Sequence, residues 1–131
     1  MDSLQGIPVV AHVRRVFERE FWPIAGKFAF LALRAAEAQA SDSPLVWRPG
    51  VYVWTDGERA YKVGRHLTNA RKRAFEHVQD DTDGQLRAVG EHENAVLILL
   101  TVDSDDSHWA AALEIYLERE LNPVVRSKRE G

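Results

Sequence analysis

Tyr52, Lys62, Arg73 and Glu114 are the side chains of this sequence that together offer the groups needed to cleave a phosphodiester bond. That hydrolysis requires a deprotonated water, neutralisation of the charge developing on phosphorus, and help for the leaving oxygen. A single carboxylate on a helix can hold one hard cation, Mg²⁺ or Mn²⁺, while waters and a substrate phosphate complete its shell. Glu114 suits that role, because its segment carries Trp109, Leu113, Leu117 and Leu121 on an apolar face. A phenol has a reference pKa of about 10, so Tyr52 would orient or activate water only with cations beside it. Lys62 and Arg73 would supply them, and the Arg73 guanidinium would clamp two phosphate oxygens. Each residue also has an ordinary reading: a solvated glutamate on an amphipathic helix, a packed strand tyrosine, a solvated basic face.

The spacing adds information that the residue types lack. The chain runs Pro49-Gly50-Val51-Tyr52, then Lys62-Val63-Gly64, then Asn69-Ala70-Arg71-Lys72-Arg73 with His77 one helical turn later. Farther on, Glu114, Leu117, Leu121 and Pro123 follow one another. This order resembles the GIY-YIG nuclease superfamily, whose pattern is Gly-Ile-Tyr, a turn, Tyr-Ile-Gly, then an arginine and often a histidine on the following helix. Its carboxy-terminal signature is Glu-x-x-Leu-Ile-x-x-Leu-x-Pro-x-x-Asn. The resemblance covers residues 49–126 and departs from the pattern at three places. Lys62 stands at the second tyrosine, as in some restriction-enzyme-like members. Arg126 stands at the asparagine, and Glu118 follows Leu117 in place of isoleucine. Tyr61 is adjacent to Lys62, but neighbouring strand residues point to opposite faces, and Lys62 has the motif's parity with Gly64.

The resemblance implies a divalent-metal-dependent endonuclease acting on DNA. Tyr52, Lys62, Arg73, His77 and Glu114 would be catalytic, with Glu114 holding Mg²⁺ or Mn²⁺. The alternative is a non-catalytic nucleic-acid- or protein-binding module on a degenerate GIY-YIG fold. A third possibility is a small adaptor whose amino-terminal helices make the contact.

Net charge is −3, which by itself argues against nucleic acid as a partner. The distribution is uneven: residues 62–77 carry five basic side chains against Glu76, and residues 78–106 carry eight acids against Arg87. Arg65, His66, Arg71, Lys72, Arg126 and Lys128 are the side chains expected to track a nucleic-acid backbone, where phosphate contacts dominate affinity. The patch is modest, so homodimerisation or recruitment into a larger DNA-processing complex is expected to assist binding. The histidines have no zinc-ligand spacing, and with no cysteine in the chain there are no disulfides and no thiolate metal sites. A cytoplasmic protein without membrane contact is the expectation, since no apolar stretch approaches the ~20 residues a membrane helix needs.

At 131 residues, with 45% apolar and 28% charged side chains, the chain has the composition of an ordinary α/β domain. Val9, Val10, Val13, Val16, Phe17 and Phe21 recur at helical spacing after Pro8. Pro23 should end that helix, and an alanine-rich second helix is expected over residues 24–40. The period then changes to two from Trp47, and Thr55-Asp56-Gly57-Glu58 reads as a hairpin turn. A helix capped by Thr68 or Asn69, a buried strand over 95–102 and a helix over 108–121 ended by Asn122-Pro123 complete the order. The expected fold is a small three-stranded sheet flanked by helices over residues 47–131. Residues 1–46 would form a helical pair packed on that core or on a partner.

Overall fold

In the computed structural model the described residues are 3–66, 68–79 and 91–126. The first helix, α1 (Pro8–Phe21), starts on the proline, and all six residues of the expected apolar stripe are buried. A short 3-10 turn, Trp22–Lys27, follows it. Strand β1 (Ala29–Arg34) runs directly into the short helix α2 (Ala35–Ala40). After a turn over Pro44–Trp47 come β2 (Gly50–Thr55) and β3 (Ala60–His66), then α3 (Ala70–Gln79). Strand β4 (Val96–Thr101) and helix α4 (Ser107–Leu121) complete the described chain.

The sheet has four strands in the order β1-β4-β2-β3, and every pairing is antiparallel. The expected helix over 24–40 is therefore corrected: its middle is a strand, with α-helix only over Ala35–Ala40 and the 3-10 turn before the strand. The cause is tertiary. Strand β4 is apolar up to Thr101 and buried on both faces, so a β2–β4 pairing alone would leave one of its edges without hydrogen-bond partners. Residues 29–34 meet that need, from Ala29 opposite Thr101 to Arg34 opposite Val96, and the pairing overrides the helix preference of alanine.

Alternation sorts the strand residues onto two faces. Val51, Val53, Val63, Val96, Ile98 and Leu100 join α1 and α4 in one core, with Phe17, Phe21, Phe28 and Tyr116 forming an aromatic group inside it. The stripe of α1, expected on the core or on a partner, packs on the core. Tyr52, Trp54, Leu97 and Leu99 face the other way, toward α2 and α3, where Trp54 Nε1 donates to Ala74 O at 3.1 Å.

The β2–β3 turn forms as expected. Gly57 takes a positive φ of 98°, and Asp56 Oδ1 accepts from the amides of Glu58 and Arg59 at 2.9 and 3.1 Å. Asn69 caps α3 by accepting from the Lys72 amide at 3.0 Å. At the end of α4, Asn122 adopts the left-handed conformation, φ 47°, and its amide bonds back to Glu118 O. At the start of α4 Asp106 makes no capping side-chain hydrogen bond and lies 3.6 Å from Lys27 Nζ. Among the described residues no helix is long and apolar enough to cross a membrane.

Candidate active site

The register of β2 against its two neighbours builds three rows on the face toward α3. They are Leu97–Trp54–Lys62, Leu99–Tyr52–Gly64 and Thr101–Gly50–His66. Lys62 thus has the parity of Tyr52, as its spacing from Gly64 predicted. Tyr61 departs from the simple alternation. The register shifts beyond Trp54, so that Thr55 faces Ala60. Tyr61 is left packed against the same cluster that holds Tyr52 and Trp54. Its hydroxyl hydrogen-bonds to the Asp56 carboxylate, which assigns it to the hairpin turn.

Two glycines are required by close approach. At Gly50, a Cβ would run into Leu100 O and lie 2.8 Å from Thr101 Cα, both in the backbone of β4. At Gly64, a Cβ would collide with Cζ and Oη of Tyr52 and stand 2.6 Å from its Cε2. The phenol therefore extends across β3 over the one position with no side chain, and Tyr52 is fully buried there.

The next residue, Arg65, turns to the opposite face, where α4 packs. Its Nη1 lies 3.7 Å from Glu114 Oε1. The Glu114 side chain is only 8% exposed, whereas that of Arg65 is 37% exposed. Glu118, one turn farther along α4, is also buried. Gly64 is thus the junction: Tyr52 crosses it on one side, and Arg65 leads from it to Glu114 on the other. Glu114 offers a single enclosed carboxylate beside a guanidinium, and among the described residues no group of three or more His, Asp or Glu could hold a metal.

The remaining candidates divide. His66 accepts at Nδ1 from the amides of Thr68 and Asn69, at 3.2 and 2.8 Å, so in the neutral ring the proton resides on Nε2. Arg73 pairs with Glu76 at 3.5 Å while 42% exposed, within reach of an external phosphate. Lys72 is exposed. Arg71 donates from Nη1 to Ser41 O at 2.6 Å and lies over the Trp47 ring, so it ties α3 to the end of α2. Arg71 therefore has an internal structural role beside the groove it lines with Lys72. Arg126 hydrogen-bonds to Asn122 Oδ1, an interaction local to the end of α4. The His77 side chain and Lys128 lie outside the described residues.

Arg48 and Thr101 were missed by sequence reasoning. Arg48 lies 3.4 Å from Asp103, and its Nε is buried without a hydrogen-bond partner. Thr101 Oγ1 and Arg65 Nε share that condition. Thr101 pairs directly with Gly50, and Arg48 stands two residues before Gly50, so these atoms gather at the Gly50–His66 end of the sheet. The only signal in the sequence was the proximity of Arg48 to the Pro49-Gly50 step. A groove of about 310 Å³ lies beside α3, lined by Gln39, Asn69, Arg71, Lys72, Phe75 and Glu76. It includes none of Tyr52, Lys62 or Glu114. Comparison with protein-family models, with curated proteins and with solved structures finds no match for this chain.

Proposed function

We propose that this protein is a divalent-metal-dependent endonuclease that hydrolyses DNA phosphodiester bonds, a divergent relative of the GIY-YIG nucleases. The observation that carries the reading is the packing around Gly64. It sets the Tyr52 phenol across β3, and the following residue meets the buried Glu114 carboxylate. A nuclease needs those groups near one phosphate, yet Tyr52 and Lys62 face α3 while Arg65 and Glu114 lie on the α4 face, so the phosphate would have to reach both faces around the edge strand β3.

In this reading Glu114 holds Mg²⁺ or Mn²⁺, which when bound neutralises charge on the phosphate and acidifies water. Tyr52 is fully buried, so in this reading its hydroxyl orients the attacking water only once substrate opens the packing over β3. Lys62 and Arg73 balance the phosphate charge, with Arg73 leaving Glu76 to present two donors to the phosphate oxygens. His66, its proton held on Nε2 by the bonds at Nδ1, donates a hydrogen bond to the nucleic-acid backbone. Lys72, Arg126 and Lys128 add positive charge.

The second reading, a non-catalytic module on the same fold, is favoured by two particular observations. Glu114 already faces an internal cation in Arg65, and Arg126 replaces the motif's asparagine. Incubation of the protein with duplex, single-stranded and RNA substrates in Mg²⁺, Mn²⁺ or chelator separates the two. The nuclease reading expects metal-dependent cleavage that falls about a hundredfold or more in Tyr52→Phe, the loss typical of a positioned proton-transfer group. Salt-sensitive binding with no cleavage of any substrate would establish the binding module instead.

A further inference from the structure

The groove beside α3 unites cations with aromatic rings, apart from Tyr52, Lys62 and Glu114. It measures about 310 Å³, and its lining draws on α3 for Arg71, Lys72 and Phe75 and on α2 for Gln39. That is the small end of the ~300–1,000 Å³ range of ligand pockets, room for one flat ring system. Phe75 is held in place from behind: its ring stands edge-on to Trp54 at 5.3 Å between centroids, and Trp54 is tied to Ala74 O. Arg71 is fixed as well, by Ser41 O at 2.6 Å and by the Trp47 ring 5.9 Å away. Trp47 itself remains 49% exposed. The charge is positive, since Arg71, Lys72 and Arg73 outnumber Glu76, with which Arg73 pairs at 3.5 Å.

We infer that this groove binds single-stranded nucleic acid, with one base seated against Phe75 and the Arg71 guanidinium, a neighbouring base on Trp47 and the backbone phosphate on Lys72. Unpaired bases stack on aromatic rings and on guanidinium planes, and a cationic groove beside such rings is the usual platform for a single strand. In a duplex the base faces are covered by neighbouring pairs, so a double helix would present its phosphates to Lys72 and gain nothing from Trp47 or Phe75. An acidic peptide would meet the cations and leave the rings unused. Gln39, exposed at the groove, carries both a donor and an acceptor for a base edge. The inference goes beyond the phosphodiester chemistry proposed above, because the groove would hold a strand whether or not the chain cleaves it. Tyr52 packs on the sheet face that α3 covers, so a strand held here lies on that side of the molecule.

The test is fluorescence anisotropy of a labelled oligothymidylate in chelator, with wild type, Trp47→Ala and Lys72→Gln. Wild type should bind the single strand more tightly than a duplex of the same length. Trp47→Ala should weaken binding at least about fivefold, the smaller end of the loss on removing one base–aromatic stack. Lys72→Gln should lower the slope of log affinity against log salt by about 0.7, the share of one phosphate contact on a single strand. Lys72 is exposed, so this arm stands even if Trp47→Ala fails to fold. Duplex binding as tight as single-strand binding, or affinity and salt slope unchanged in both folded variants, would overturn the inference, as would the absence of any binding. Competition by polyglutamate as effective as by the oligonucleotide would overturn it in favour of an acidic protein partner. Thymidine monophosphate bound as tightly as the strand would overturn it in favour of a free nucleotide. Every arm is metal-free, so metal-dependent nicking by a chain that shows no single-strand preference would sink this inference alone.

Discussion

Replacing Gly64 with alanine places a methyl group inside the ring of Tyr52. The new Cβ would collide with Cζ and Oη and stand 2.6 Å from Cε2, whereas carbon atoms in contact prefer about 3.5–4.0 Å. An overlap of about 1 Å must be relieved by moving the ring or parting the strands. The ring has little room, since Tyr52 is fully buried in the same cluster as Trp54, Leu97 and Leu99. Overpacking of this kind costs about 1–3 kcal/mol, and an off-rotamer ring adds about 0.5–1.5 kcal/mol. Against this, the lower backbone entropy of alanine returns about 0.5–1 kcal/mol. The net loss is about 2 kcal/mol out of a domain stability of about 5–15 kcal/mol, so the variant should fold. Urea unfolding of wild type, Gly64→Ala, Tyr52→Leu and the double variant closes a mutant cycle. With the ring gone, the alanine should cost less than about 1 kcal/mol, giving a coupling of at least about 1 kcal/mol. A neutral Gly64→Ala, or equal costs in the two backgrounds, would refute the crossing of β3 by Tyr52 on which the site is built.

Gly50→Ala should cost more, about 3 kcal/mol or above, because its Cβ meets the backbone of Leu100 and Thr101 and no side-chain truncation can relieve the clash; chemical denaturation with and without Thr101→Ser checks both points. The Asp56 carboxyl has its pKa lowered: burial alone would raise it, but the amides of Glu58 and Arg59, the Tyr61 hydroxyl and the charge of His92 outweigh that. A carboxylate depressed on folding stabilises above its unfolded value, about 3.9, and loses that contribution as pH falls through the folded one. Asp56→Asn should therefore lose less stability than wild type on acidification from pH about 5 to 2, and parallel slopes would contradict the assignment. His66→Ala removes the acceptor for the Thr68 and Asn69 amides and should cost about 1 kcal/mol, as other cap deletions do; an unaffected unfolding midpoint would deny His66 that role.

Much of the fold was legible because its signals are local. The stripe from Val9 to Phe21, the turn at Asp56-Gly57 and the run from Val96 to Thr101 each declare a period or a turn chemistry within a few residues. Strand β1 was not legible, since Ala29–Arg34 is strand only by virtue of the edge of β4, sixty-odd residues away in sequence. The site divides in the same manner. The parity of Tyr52, Lys62 and Gly64 follows from strand spacing and holds in the register. The bulge that redirects Tyr61 and the pairing of Arg65 with Glu114 depend on where the sheet meets α4, which spacing does not encode. The internal tie of Arg71 to Ser41 O was not legible, because Ser41 ends a short helix that the sequence merges into a longer one.

The central claim is that Glu114 makes this chain a metal-dependent nuclease. Nicking of supercoiled plasmid by wild type and Glu114→Gln, in Mg²⁺, in Mn²⁺ and in chelator, tests it most directly, with circular dichroism confirming that both are folded. The account predicts cleavage by the wild type that requires the metal and is abolished in the variant. Cleavage that persists in folded Glu114→Gln, or a wild type inert toward plasmid in either metal, would contradict it.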